Sequence, residues 1–327
     1  MSRIKRRRFL ELGGAATLIS LSCASHAQSW PNRIVRLLVG FPPGGGMDAA
    51  ARILADRLSA IWGQQVIIEN KPGAGGRIAL DAVAHASPDG YTMLIAAGAP
   101  EVNRFLFAKL TFDPAADFAP VSLVGTYPDF IVVSNASPFD SLGTLVAYAK
   151  HNPGQMSWAS PGVGTVPHLA GELFMRMAGI EMTHVPYRGI TEGLMSDLIA
   201  GRVDAMFNTA GTLLPLIKSH QVRALAVTSG TRFPDQPEIP TVRESALPGY
   251  DISSWYGLYV PAPTPQDIVA KMNADVVVML REPAMKEKFE PLGVLAAGST
   301  AGELAARNSA DAALWGPLIK AVNIMVE

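Results

Sequence analysis

Three features of the sequence predict an α/β fold in two lobes joined by two crossings of the chain. Short β-rich runs alternate with helical patterns over most of the length. Glycine-rich or polar loops follow several of those runs and open the next helix. The last three helical segments have no run of strands beside them. Alternating strands and helices build a parallel sheet faced by helices. Helices without a sheet must pack on one that already exists, most economically the first.

The elements follow in order. Ile34–Val39, Val66–Glu69 and Met93–Ala97 read as strands, separated by helices over Asp48–Trp62 and roughly Arg77–Ala86. In the first helix Ala51, Leu54, Leu58 and Ile61 recur at spacings of three and four, which gives one buried stripe. Asp48 is placed to cap its N-terminus and Gly63 to close it. A second series has strands at Ile131–Ser134, Met156–Ala159, Thr183–Val185, Val203–Asn208 and Ala224–Thr228. Its helices occupy Ser141–His151, Pro167–Met177, Thr191–Ala200 and Gly211–Ser219. From Phe233 to Pro248 four prolines recur without periodicity, which reads as a connecting segment. Trp255–Val260 is strand-like, and helices follow over Pro265–Leu280, Pro283–Pro291 and Thr300–Asn323. These assignments predict a discontinuous first lobe, residues 28–127 and 253–327, and a second lobe, residues 128–252. The chain leaves the first lobe near Val121–Tyr127 and returns near Ser253–Val260.

Residues 1–27 read as an export signal. Arg3, Lys5, Arg6, Arg7 and Arg8 form a basic head, an apolar run spans Leu12–Leu21, and Ser25-His26-Ala27 resembles a small-residue cleavage site. The apolar run is shorter than the roughly 20 residues that span a bilayer. Arg6-Arg7-Arg8-Phe9-Leu10 fits a twin-arginine signal, with a general secretory signal as the alternative. Both predict a periplasmic protein cleaved near Ala27. Cys23 lacks the aliphatic residue that a lipid anchor needs three positions earlier, where Ser20 stands. Cleavage leaves 22 basic and 27 acidic residues, a net charge of −5, and removes the only cysteine. The remaining chain then has no disulfide and no thiol nucleophile, and must rely on its core. With no basic stripe, nucleic acid is excluded as a partner. With no second long apolar segment, a membrane-embedded mature chain is excluded as well.

The loops between strands and helices carry the functional signal. Gly40-Phe41-Pro42-Pro43-Gly44-Gly45-Gly46-Met47-Asp48 lies between the first strand and the first helix. The first turn of a helix leaves backbone N–H groups unpaired and carries about half a positive charge. Glycines let such a backbone approach an anion closely. Ala97-Gly98-Ala99-Pro100 follows the third strand, Ser160-Pro161-Gly162-Val163-Gly164-Thr165 opens a helix in the second lobe, and Pro186-Tyr187-Arg188-Gly189 and Asn208-Thr209-Ala210-Gly211 complete the set. Two such helix tips facing each other across a cleft suit a small carboxylate. The predicted ligand contacts are therefore Phe41, Gly45, Gly46, Met47, Asp48, Ala97, Ala99, Ser160, Gly164, Thr165, Tyr187, Arg188 and Asn208, with Arg188 as the one cation among them.

Other chemistries find little in the sequence. The first loop lacks the Gly-Lys-Ser/Thr ending of a phosphate-binding loop, and Pro167 stands where a dinucleotide fingerprint needs its third glycine. Cofactors are not expected. The mature histidines show no metal-ligand spacing with one another, and His168 and Glu172, four apart on a helix, read as a surface pair. There is no Gly-x-Ser-x-Gly elbow, so a catalytic site is not expected either. Asp204 reads as a structural carboxylate at a strand start.

Taken together, the motifs resemble the Bug receptors, the periplasmic substrate-binding proteins of tripartite tricarboxylate transporters. The resemblance begins at Phe41-Pro42-Pro43-Gly44-Gly45 with Asp48 and Ala51-Arg52, and continues through Glu69–Gly76, Pro88–Thr92 and Asp117–Val121. It extends over Pro167–Phe174, His184–Gly189, Arg223–Thr228 and Ser253–Leu258, so it covers nearly all of the chain after the leader. The resemblance implies a type II periplasmic-binding-protein fold, a clamshell that closes on its ligand. It also implies a small carboxylate held by amides of the loops at Phe41–Asp48 and Ser160–Thr165, and delivery to membrane transporter subunits. A ligand-presenting partner of a membrane signalling protein needs the same clamshell and is the alternative. The chain departs from the family pattern at Gly46, Met47, Ala97–Glu101, Val163 and Asn208, where relatives carry more hydroxyl, amide or acidic groups. Those departures predict a ligand with one carboxylate and an apolar or aromatic remainder.

Overall fold

The computed structural model describes residues 30–187, 189 and 192–326; the leader and Arg188 lie outside the described residues. The chain opens as β1 (Val35–Val39), α1 (Gly46–Trp62), β2 (Val66–Asn70), α2 (Arg77–Ala84), β3 (Thr92–Ala97) and the short α3 (Asn103–Leu106). It continues as β4 (Phe118–Ser134), α4 (Leu142–His151), β5 (Ser157–Ser160), α5 (Val166–Ala178), β6 (Thr183–Pro186), α6 (Glu192–Ile199), β7 (Ala205–Thr209), α7 (Ala210–Lys218) and β8 (Val222–Val227). It ends as α8 (Val242–Ser245), β9 (Ser253–Pro261), α9 (Gln266–Leu280), α10 (Pro283–Phe289), β10 (Leu295–Ala296) and α11 (Ala301–Ala321).

The strands lie in the order β2-β1-β3-β9-β4-β7-β5-β6, with β8 and β10 also paired to β4. β1 pairs parallel with β2 and β3, and β5 pairs parallel with β6 and β7. Between these parallel groups run β9 and β4, antiparallel to each other. β4 is the longest strand and serves both lobes. Its residues Phe118–Pro128 pair with β9, while Asp129–Ser134 pair with β7 and β8. Pro120 sits where the β4–β9 register slips, and Pro128 sits at the change of partner. Proline is tolerated where a ladder is already interrupted.

The alternation of side chains along β1 explains its burial on both faces. Leu37 and Val39 join Met47, Ala51, Leu54 and Leu58 of α1 in one core, and Leu38 joins Leu94, Trp255, Leu304 and Trp315 in another. The helices that close the chain contribute no strand except β10. α9 and α10 pack beside α1 through Val269, Met272, Val276 and Phe289, and α11 covers the opposite face through Leu304, Trp315 and Ile319. In the other lobe α6 and α7 bury Leu194, Leu198, Leu213 and Leu214 against Phe130, Val132 and Met206. The proline-rich connection holds one element that periodicity does not show. α8 is started by a capping box in which Thr241 and Glu244 bond each other's backbone N–H.

Candidate functional site

The loop before α1 is shaped by its own carboxylate. Asp48 was expected at the N-cap, but Gly45 takes that position and Asp48 is the third helical residue. From there Asp48 accepts the Gly44 N–H at 3.0 Å, two bonds from Arg52 at 2.9 and 3.0 Å, and the Asn70 amide at 2.9 Å. Burial alone would raise the Asp48 pKa, but Arg52, the Gly44 amide and Asn70 outweigh it and the net shift is downward. Asn70 also donates to the Phe41 carbonyl at 3.0 Å, so the loop is clamped at both ends. The N-cap glycine offers no side-chain acceptor, and the first intrahelical bond runs from Ala49 N–H to Gly45. The N–H groups of Gly46, Met47 and Asp48 precede that bond and have no acceptor within the helix.

The facing loop in the second lobe is held by aromatic rings. Trp158 stacks on His168 with centroids 5.7 Å apart and meets His184 at 4.3 Å. His168 was expected in a surface pair; it is buried instead, because the helix turns that face onto Trp158. Burial, with the neighbouring His184, pushes the His168 pKa down to about 3, and burial pushes His184 down to about 4. Both rings are therefore neutral near pH 7. Neutral His168 accepts the Gly164 N–H on Nδ1 at 3.1 Å, and Ser160 Oγ lies 2.8 Å from His184 Nε2 and 3.3 Å from Gly162 N. Thr165 Oγ1 donates to the Gly162 carbonyl at 2.7 Å. Thr165 is the N-cap of α5 without a side-chain cap bond, so the first amides of that helix are also uncommitted. The same holds for α7, where Thr209 is the N-cap and Asn208 Oδ1 accepts the Thr209 N–H at 2.8 Å.

These three helix tips open on one cavity of about 510 Å³. Phe41, Gly45, Gly46, Met47, Ala97, Ala99, Gly164, Thr165 and Asn208 line it. Asp48, Ser160 and Tyr187 do not; they stand behind the lining residues. Tyr187 donates its hydroxyl to Asp197 at 2.6 Å, and Asp197 is paired with Arg202. Arg188 lies outside the described residues. The Ser160–His184 pair is likewise set back from the cavity and shapes the loop. Asp204 accepts the Ser157 N–H and hydroxyl, the structural role expected of it. The sequence reading missed Asn103, Tyr127, Tyr256, Asp311 and Trp315, which complete the walls. Tyr256 lies in a motif of the resemblance, whereas Asp311 and Trp315 sit on a long helix with no local signal. Most of the remaining lining is apolar: Val102, Leu106, Phe107, Val163, Val166, Leu169 and Val326. Among the described residues no group of three or more His, Cys, Asp or Glu is arranged to hold a metal, and no helix is long and apolar enough to cross a membrane.

Comparison with known proteins agrees with this architecture. Over 320 residues the chain is 39% identical to the "UPF0065 protein in tcbD-tcbE intergenic region" of Pseudomonas sp. (strain P51), covering 98% of this chain and 95% of that protein. The structure resembles that of "R. palustris Rpa4515 with adipate" at a TM-score of 0.83 and 34% identity, covering 89% of this chain and 97% of that one. It also resembles "MatC (Rpa3494) from Rhodopseudomonas palustris with bound malate" at a TM-score of 0.79 and 31% identity, covering 88% and 99%. The family described as "Tripartite tricarboxylate transporter family receptor" matches residues 50–324, which hold every residue lining the cavity except Phe41–Met47 and Val326, and the chain belongs to that family.

Proposed function

We propose that this receptor binds a small carboxylate between its lobes, in the periplasm, and delivers it to the membrane subunits of a transporter. The observation that carries the reading is the convergence of three uncapped helix tips on one largely apolar cavity. Backbone N–H groups and helix dipoles stabilise an anion there without any side-chain cation. The carboxylates named for the two solved relatives support the same chemistry. The apolar remainder of the lining favours a ligand with one carboxylate and an apolar or aromatic body over a citrate-like polyacid.

The proposed lobes are residues 28–127 with 253–327, and residues 128–252. The partner change within β4 after Pro128 and the start of β9 at Ser253 support those limits. Ligand that touches both lobes only when they are together shifts the population toward the closed form. Export by the leader, with cleavage near Ala27, would place the receptor where it meets solute. A thermal-shift screen of small carboxylates tests the reading. Ligand at 100 times its dissociation constant adds roughly 2.7 kcal/mol, or a rise of several degrees at about 2–4 °C per kcal/mol. No shift with any carboxylate would overturn it, and tighter binding of citrate than of every monocarboxylate would overturn the monocarboxylate preference.

A further inference from the structure

The two ends of the cavity differ in electrical character. Successive residues of a strand point to opposite faces, and β9 uses this at Trp255 and Tyr256. Tyr256 belongs to the core on the α1 side with Met47, while Trp255 belongs to the core on the α11 side with Trp315. The cavity therefore runs from the tip of α1, across the end of the sheet, to α11. At the α1 end it presents free N–H groups. At the α11 end, the one charged side chain lining it among the described residues is a carboxylate, Asp311.

Asp311 is held in place. Trp255 Nε1 donates to its Oδ2 at 3.0 Å, and the backbone N–H of Ala99 is directed at it as well. Arg307, one turn earlier on α11, acts on Asp311 through its charge but not through a contact. No ion pair within 4.0 Å joins the two among the described residues, and its guanidinium lies 5.4 Å from the Trp255 ring centroid. Arg307 lines an adjoining groove and not the cavity itself. Two donors leave a carboxylate with acceptor capacity to spare.

We infer that Asp311 selects the ligand at its far end: a monocarboxylate bearing a hydrogen-bond donor there, such as a hydroxyl or ammonium group, is accepted, and a second ionised carboxylate is rejected. The inference rests on the carboxylate reading above and adds the group opposite the carboxylate. A fixed like charge discriminates against the wrong one of two ligands of equal shape. Burial pushes the Asp311 pKa up to about 6, against the pull of Trp255, Arg307 and Ala99. It is therefore ionised at about pH 7.5 and repels a second carboxylate under assay conditions.

The test is calorimetric titration with matched pairs that differ only at the far end: 6-hydroxyhexanoate against adipate, and 4-hydroxybenzoate against terephthalate, at about pH 7.5. The hydroxy acid of whichever pair binds is expected to bind roughly tenfold or more tighter than its diacid. Asp311→Asn keeps an acceptor for Trp255 Nε1, and is expected to shrink that ratio by about tenfold or more while the melting temperature of the unliganded protein holds. A diacid that binds wild type as tightly as its hydroxy partner would overturn the inference, as would a ratio unchanged by Asp311→Asn. Either result leaves carboxylate binding itself intact, because it is read from ligands that bind. Failure of every acid in both pairs and in the wider screen would remove the carboxylate reading and this inference with it.

Discussion

Asp48 shows how a residue can serve a site without touching it. Its carboxylate is 3% exposed and is occupied by Gly44, Arg52 and Asn70, so it has little left to offer a ligand and would repel an anion if it did. Its role is to hold the turn that aims three neighbouring amides at the cavity. Asp48→Ala leaves the Gly44 N–H and the Asn70 amide without their partner, which costs about 1–3 kcal/mol. A fall of several degrees in melting temperature is expected, at about 2–4 °C per kcal/mol. Affinity for a carboxylate is expected to fall as well, although a negative charge near the site has been removed. Calorimetry on the variant decides the matter: an unchanged melting temperature, or a gain in affinity, would show that charge outweighs loop order here.

At the scale of elements, the loops of the two lobes meet closely at glycines. Gly164, just before α5, has φ +80°, and a methyl group there would come within 3.0 Å of Val326 Cγ2 and 3.1 Å of Leu106 Cδ1. Both of those residues belong to the opposite wall. Gly179, after the same helix, has φ +62° with nothing within 4 Å of a methyl group. Alanine in a left-handed conformation costs roughly 1–2 kcal/mol in either place. Gly164→Ala adds a tight contact, which Val326 and Leu106 must yield to by a few tenths of an ångström, between walls that meet only while the lobes are together. We therefore expect similar losses of melting temperature for Gly164→Ala and Gly179→Ala, but a loss of ligand affinity of about tenfold or more, or some 1.4 kcal/mol, for Gly164→Ala alone. Titration of both variants with the same carboxylate provides the comparison, and equal affinities would rule out a closing role for this contact.

These loops were legible in the sequence because glycine clusters between a strand and a helix have a direct backbone meaning. The α1 stripe was legible too: Ala51, Leu54 and Leu58 are buried, and Ile61, the fourth residue expected in it, is half-buried against the same core. The length of β4 was not, because Pro120, Gly125 and Pro128 break the pattern of a strand. They are accommodated by register slips and a change of partner that only the assembled sheet provides. α8 could have been found from Thr241 and Glu244, a capping box visible in the sequence. Tyr127, Tyr256 and Asp311 reach the cavity from three elements far apart in the chain. No local spacing encodes that meeting, so the helix tips at the cavity were readable while its walls and its α11 end were not.

For the molecule as a whole, buried titratable groups oppose each other with pH. Asp129 lies where β4 passes between lobes; its carboxylate accepts the Ser254 hydroxyl at 3.1–3.2 Å and faces Tyr127, Tyr250 and Tyr256, with no cation beside it among the described residues. Burial raises its pKa from 3.8 to about 7, against the pull of Ser254. An acid whose pKa is higher folded than unfolded stabilises the fold fully below the unfolded value and loses that contribution as pH rises through the folded one. The loss between 3.8 and about 7 is at most roughly 4 kcal/mol. His168 and His184, lowered from 6.5 to about 3 and about 4, act in the other direction: their contribution is present above 6.5 and is lost as pH falls. Asp129→Asn keeps the shape and removes one of the two trends. Its melting temperature relative to wild type is expected to rise from about pH 4 to about pH 7 and to level off above that, and the variant on its own to lose stability more steeply than wild type on acidification below about 6.5. Melting curves of both proteins across that range give the difference directly, and a difference that does not vary with pH would mean that Asp129 ionises as readily in the folded protein as in the unfolded chain.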